Sequence, residues 1–443
     1  MFTKLLPDEI SHIFSFLSSK DLKNISLCSK QCNVFVAPWL WEYVGGRSSL
    51  DDVNVIDRLL DMPIPLHVAH CRRLTLNLGL KLGRTNKMEE IIKMFLSLIE
   101  LSAPEILVAY LKYGACKPIL EILEECLSAV STMGGVTSVH LICSNKKDLP
   151  VLDESCKLKV LHLLNDINVD FLRSISRKFP DLHRYTSLEE LEIVQMKLSA
   201  DDVKGITSLP CLKILRLKGV FDGYVGDHDL HNLKSLKQLN YFQLVELAQP
   251  FRGFEFLQSL QPGLMELNLC RNKAFDDMCM LNLKTCSRLR KVNLADTGIT
   301  GTGWREISNL THLKELNLDS CRITDHGLEE MKHLTSLQVL ILTSCLHITD
   351  ACLEHLSLLM SLDVLDLSYT QVTGSTLYHL KHLPITVLNL VGCKIAEVHL
   401  KQLKGCCRLK EVFVDERLCH DRAQKRVTLR RGGRLITGLR VKI

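Results

Sequence analysis

LKELNLDSCRITDHGLEEMKHLTSL, residues 313–337, is the stretch whose reading decides the fold. Leu316 and Leu318 alternate with Glu315, Asn317 and Asp319, the period of two expected of a short strand with one face turned inward. Leu313 joins the same apolar set from three residues earlier. Cys321 then turns the chain and Ile323 re-enters the core. Thr324 or Asp325 is placed to accept backbone N–H groups at the start of a helix that carries Leu328, Met331 and Leu334. Leu337 opens the next strand.

The unit recurs with openings at Leu264, Leu289, Leu313, Leu337, Leu362, Ile385 and Leu409, at intervals of 25, 24, 24, 25, 23 and 24 residues. Looser units open at Val136, Leu158, Leu188, Leu212 and Leu236. This spacing and the pattern L-x-x-L-x-L-x-x-(C/N/T)-x-(I/V) resemble leucine-rich repeats, in which each unit buries its apolar face only against its neighbours. The expected class is α/β. Strands packed about 4.8 Å apart on one side and helices roughly 10 Å apart on the other make the stack curve, with strands concave and helices convex.

Reading outward gives four regions: 1–45, 46–133, a solenoid over 134–414, and a basic tail over 415–443. Met88, Ile91, Ile92, Phe95 and Leu98, then Ile119, Ile122, Leu123 and Leu127, stand at helical spacing, with Pro104 and Pro118 as breaks. The 46–133 stretch is accordingly read as a helical spacer, with room for a first irregular repeat.

Residues 5–44 carry helix-spaced Ile10, Ile13, Phe14 and Leu17, then Leu22, Ile25 and Leu27, then Trp39, Trp41 and Tyr43. About 40 residues cannot bury that much apolar surface unaided, so the segment calls for a partner surface. It resembles an F-box: Leu6-Pro7-Asp8-Glu9-Ile10 is similar to the opening, Ile13-Phe14-Ser15-Phe16-Leu17 to the first helix, Asp21-Leu22 to the next helix start, and Leu40-Trp41 to the ending. Cys32 replaces a tryptophan common in that family. Followed by leucine-rich repeats, this N-terminus makes the whole chain resemble an F-box and leucine-rich-repeat protein. The resemblance implies a substrate receptor of SCF-type cullin-RING ubiquitin ligases that binds the small adaptor subunit through Pro7, Ile10, Ile13, Phe14 and Leu17. Ordinary core packing is the alternative for these five.

Composition agrees with a folded chain, 46% hydrophobic and 24% charged. The apolar run from Ile91 to Leu101 is too short to span a bilayer, and MFTKLLPDEI has no signal core, so no membrane insertion is expected and the cytoplasm or nucleus is the expected place. The eighteen cysteines are read as buried thiols. Cys321, Cys345 and Cys393 share one repeat position, and Cys406, Cys407, Cys419 and His420 lack the paired spacing of a zinc knuckle. No metal, cofactor or catalytic residue is assigned. The chain's net charge is +5, yet residues 415–443 alone hold nine Lys or Arg against three acids. The rest is therefore close to neutral, and nucleic-acid binding is not expected of the body. The tail, with KRVTLRRGGR at 425–434, is read as a solvated cap, the alternatives being a nuclear address or a polyanion site.

Two columns of strand residues facing away from the core complete the reading. One runs Glu266, Lys291, Glu315, Val339, Val364, Val387, Glu411, and the other Asn268, Asn293, Asn317, Ile341, Asp366, Asn389, Phe413. Both turn apolar at one place, bordered by Asp319, Asp363, Asp366 and Glu411. Val339, Ile341, Val364 and Val387, with Tyr369 as anchor, are the expected contacts for a target protein. Coverage of this patch by the C-terminal tail is the alternative. A repeat scaffold outside any ligase, and a nucleic-acid or membrane-surface binder acting through the tail, are the competing functions.

Overall fold

The computed structural model describes residues 73–78, 106–111, 137–143, 158–165, 182–220, 225–247, 254–260, 263–415, 426–431 and 434–441. It divides into two units, residues 1–196 with 208–212, and residues 197–207 with 213–443.

The first unit holds β1 (Arg73–Leu78), β2 (Ile106–Leu111), β3 (Ser138–Cys143), β4 (Val160–Asn165) and β5 (Glu190–Val194), paired in parallel in chain order. Two of these strands correct the sequence reading. Residues 73–78 and 106–111 fall in the stretch read as a helical spacer, yet both are strands, so the ladder starts well before residue 134. ILVAYL is a short unbroken apolar run between Pro104 and Gly114, and periodicity alone does not separate a buried strand from a helix turn in such a run. The helix-spaced positions 88–98 and 119–127 lie outside the described residues.

In the second unit β6 (Ile214–Lys218), β7 (Tyr241–Val245), β8 (Glu266–Asn268), β9 (Lys291–Asn293), β10 (Glu315–Asn317), β11 (Val339–Ile341), β12 (Val364–Asp366), β13 (Val387–Asn389) and β14 (Glu411–Val414) continue in parallel. Parallel neighbours need a crossover of a dozen or more residues, which a 23–25-residue period supplies. The register shows that the unit containing β7 opens at Leu239, not Leu236, because Tyr241 pairs with Glu266. The basic tail forms a hairpin of β15 (Arg426–Arg431) and β16 (Arg434–Val441), with β16 antiparallel to β14. It extends the sheet beyond β14, the arrangement that covers an open strand edge.

Leu313, Leu316, Leu318, Ile323, Leu328, Met331 and Leu334 are all buried, as are their counterparts in neighbouring repeats. A buried leucine contributes about 1.5–3 kcal/mol, and here each is covered largely by adjacent units. The helical side is tighter than expected: an α-helix, Asp325–Glu329, runs on as a 3-10 helix, Glu330–His333. The greater rise of the 3-10 turn spans the distance back to the next strand with few residues. Thr324 caps this helix, its Oγ1 accepting from the N–H of Gly327 at 3.1 Å. Asp325 reaches instead into the following repeat, accepting from Thr349 N (2.9 Å) and Oγ1 (2.7 Å). Asp277 and Asp350 bracket adjacent repeats in the same way.

One backbone feature recurs at the repeat period. Arg271, Asp296, Ser320, Ser344, Tyr369 and Gly392 all have positive φ, between 57° and 74°. Each left-handed residue turns the chain out of its strand, and from Arg271 to Tyr369 its N–H donates to a carbonyl of the next repeat at 2.6–2.8 Å.

Candidate functional site

The five N-terminal positions Pro7, Ile10, Ile13, Phe14 and Leu17 lie outside the described residues. The strand face of the second unit can be built in full. Register places Glu315, Val339, Val364, Val387 and Glu411 directly beside one another across β10 to β14. Strands about 4.8 Å apart put the three valines in a continuous row. All three are half-buried, as is Ile341, one alternation along β11.

The second column behaves differently from the expectation. Asp366 and Asn389 are buried at 0% and 1% exposure, and Phe413 is buried at 1%. Alternation told which way these residues point but not what covers them. Their polar members serve the backbone. The side-chain oxygens of Asn268, Asn293, Asn317, Asp366 and Asn389 each accept from the N–H two residues on, at 2.9–3.2 Å. This Asx bond satisfies an amide that the turn out of the strand would otherwise leave unpaired. Asn389 Nδ2 also donates to Asp366 Oδ2 at 2.9 Å, and Ser368 Oγ donates to Asp366 Oδ1 at 2.6 Å. Asp366 is therefore an internal acceptor and not part of a solvated rim. Asp319 is buried too, and accepts from Ser320 Oγ at 2.8 Å. Ile341 interrupts the Asx series and presents an aliphatic side chain where its neighbours present oxygen.

Phe413 packs with Val391, and Val387 lies against the pair. Tyr369 is 46% exposed. Its φ of 58° is unusual for a bulky residue. The ring lies over Gly392, so close that a Cβ there would stand 2.4 Å from Tyr369 Cδ1. Gly392 is thus required twice, by its φ of 74° and by the ring above it.

Charge divides this face. Over β6 to β9, Arg216 stacks on the Tyr241 ring at 4.8 Å and Lys218 lies 3.8 Å from Glu246, which also pairs with Arg271. Lys291 stands between Glu266 (3.9 Å) and Glu315 (3.2 Å). The segments 338–344, 363–369 and 386–392, which carry β11 to β13, contain no Lys, Arg or His.

In the first unit sequence reasoning missed a cluster. His162 lies between Glu190 (2.9 Å) and Glu192 (3.3 Å), His140 meets it edge-on at 4.3 Å, and Ser138 Oγ is 3.0 Å from His140 Nε2. His140, His162 and Glu192 occupy the same place in successive repeats, so reading the columns further back would have found them.

The recurring cysteines are buried donors. Cys321, Cys345 and Cys393 Sγ lie 3.0–3.1 Å from the carbonyls of Leu294, Leu318 and Leu367, one repeat earlier. Burial pushes all three thiols up, opposite to the shift a nucleophile needs. Cys406 is buried and Cys407 exposed, while Cys419 and His420 lie outside the described residues. Among the described residues no His, Cys, Asp or Glu grouping is suited to a metal ion, and no helix is long and apolar enough to cross a membrane.

Residues 262–323 match the sequence model of the family described as leucine rich repeat. The in-step parallel ladder extends the same unit beyond that match, and the chain carries a leucine-rich-repeat domain. No curated protein matches its sequence. Among solved structures it is similar to an internalin from Listeria monocytogenes at 17% identity, covering 71% of this chain and 82% of that one, with a TM-score of 0.46. A leucine-rich-repeat protein of Leptospira interrogans gives 16%, 83% and 100%, with a TM-score of 0.38. TLR13, in a complex with ssRNA13, gives 16%, 72% and 50%, with a TM-score of 0.48.

Proposed function

We propose that this chain is the substrate-recognition subunit of an SCF-type ubiquitin ligase, acting in the cytoplasm, the nucleus or both. Residues 1–45 dock on the small cullin adaptor through Pro7, Ile10, Ile13, Phe14 and Leu17, and the repeat face holds a target protein. Catalysis belongs to the partner enzymes: tethering raises the local concentration of the target's lysines, so no reactive group is asked of this chain. The observation that carries the recognition half is the row Val339, Val364, Val387, with Ile341 beside it and Tyr369 exposed at its margin. Half-exposed aliphatic side chains on a rigid ladder, with an aromatic at the edge, have the anatomy of a protein-binding patch. The docking half is supported by the F-box-like residues alone.

Two experiments test the halves separately. Purified adaptor should be retained by the full chain and lost on deleting residues 1–45, with the repeat domain still folded by circular dichroism. Undiminished retention would reject the docking assignment and leave a leucine-rich-repeat scaffold outside any ligase. Replacing Ile341 and Val364 together by Asp should remove target recovery while adaptor retention and melting temperature stay close to wild type. Unchanged recovery would reject the face.

A further inference from the structure

Charge is unevenly placed on the second unit. Strands β6 to β14 run parallel, so all of them begin at one edge, and the segment leading into each strand lines that edge. The eight segments before β7 to β14 (234–240, 259–265, 283–290, 307–314, 331–338, 356–363, 380–386 and 403–410) hold eleven Lys or Arg against one acid, Asp363. That acid is half-buried and accepts from Thr386 Oγ1 at 2.6 Å. The six segments that leave β8 to β13 at the other edge (269–277, 294–301, 318–325, 342–350, 367–375 and 390–397) hold four Lys or Arg against seven acids. The near-neutral body is therefore a cancellation between two edges. Arg288, Arg290, Lys314, Lys381, Arg408 and Lys410 are exposed, and among the described residues none of them is in an ion pair. Paired cations such as Lys291 and Arg305 sit on the strand face and the helical side instead.

Helix ends account for part of this edge: Lys284, Lys332, Lys381 and Lys404 close helical turns, where a cation complements the last carbonyls. Arg288, Arg290, Lys314, Arg408 and Lys410 stand beyond the helices and gain nothing from them. Lys314 N donates to Arg290 O at 2.8 Å, so two cations leave adjacent rungs about 4.8 Å apart, an arrangement that costs stability unless an anion is met. The same edge exposes Met265, Leu358 and Met360, at 39%, 49% and 60%. Leu358 and Met360 lie in the segment between those of Lys332 and Lys381, so cations flank them on both sides. None of the eight segments contains Phe, Tyr or Trp, on which single-stranded nucleic acid would stack, and a phosphate backbone has no place for Leu and Met. We propose that this edge adsorbs to an anionic lipid surface, its cations among the headgroups and Met265, Leu358 and Met360 at the acyl boundary. The chain lies on such a surface without crossing it. Contact is made by loop tips at one edge, which leaves the strand face of β11 to β13 open.

Cosedimentation of the full chain with vesicles tests this, using phosphatidylcholine alone and phosphatidylcholine mixed with phosphatidylserine. Binding to the mixed vesicles should exceed binding to the neutral ones by at least about tenfold and weaken as salt is raised. Arg288→Gln, Arg290→Gln and Lys314→Gln together should reduce it by at least about tenfold, since each cation near such a surface contributes a factor of about five. Leu358→Ser with Met360→Ser should reduce it by at least about fivefold through the lost apolar contact. All five residues are exposed, so the melting temperature of both variants should stay close to wild type. Arg430→Gln, Arg431→Gln and Arg434→Gln in the basic tail should leave vesicle binding close to wild type. Equal binding to both kinds of vesicle overturns the proposal, as does binding lost with the tail substitutions and kept with the edge ones. Duplex DNA or polyglutamate captured more tightly than the mixed vesicles, and released by the triple edge substitution but not by the Leu358 and Met360 pair, would overturn the lipid assignment and give the edge to a polyanion.

Discussion

Asp277 offers the sharpest test of how the repeats are held together. It accepts from Thr300 N (3.0 Å), Thr300 Oγ1 (2.6 Å), Gly301 N (3.0 Å) and Gly303 N (3.3 Å), all in the next repeat. Four bonds at a net of roughly 0.5–1.5 kcal/mol each would sum to about 2–6 kcal/mol. The carboxylate is only half-buried, and water reaches some of the donors once it is gone, so Asp277→Ala should cost about 2–3 kcal/mol, near the lower end. Burial alone would raise this carboxyl's pKa, but the Thr300 hydroxyl and the three backbone N–H groups outweigh it and hold the value below the ordinary one. A depressed folded-state pKa means that the stabilisation is complete above the unfolded value, about 4, and is lost as pH falls through the folded value. Urea unfolding of wild type and variant should therefore differ most near neutrality and converge in acid. Hydrogen exchange should quicken at the Thr300, Gly301 and Gly303 amides and leave the Asx-bonded amides of distant repeats unchanged. Unaltered exchange at those three amides, or a gap that widens in acid, would refute the bracket.

Gly392→Ala should destabilise by about 1–3 kcal/mol, through positive φ and the clash with Tyr369, and Tyr369→Ala in the same chain should restore part of it; strict additivity in urea unfolding would count against the contact. Alkylation of the native protein with iodoacetamide, followed by mass spectrometry, should modify exposed Cys407 before Cys286, Cys345 and Cys352. Burial holds the latter three as thiols, and Cys286 is pushed up to about 11; early labelling of any of them would contradict their placement.

The leucine period of the repeats was readable because burial is its direct cause: the same seven inward positions recur whatever the surface does. Leu236 is misassigned because Leu233, Leu236 and Leu239 stand three apart, so Leu233 and Leu236 each open an L-x-x-L pattern, whereas Leu239 has Phe242 in place of the second leucine. Only the pairing of Tyr241 with Glu266 selects the last. Asp366 and Phe413 show a different limit, since alternation gives direction and coverage depends on neighbours many residues away. The brackets of Asp277, Asp325 and Asp350 escaped for a related reason. An acid at a helix start reads locally as a cap, while the partners it serves lie 23–26 residues on.

The in-step rows also act as a ruler. Successive rows are about 4.8 Å apart, and a helix laid across the strands advances about 5.4 Å per turn, so its side chains slip only about 0.6 Å against each row. An extended segment in the same direction advances about 6.6 Å between residues on one side and is out of step by the second row. Over the three valine rows a helix stays within about a methyl radius of perfect alignment, and over eight or nine it loses a full row. Three rows therefore match one or two turns of a helix by pitch, and a longer helix falls out of step with them.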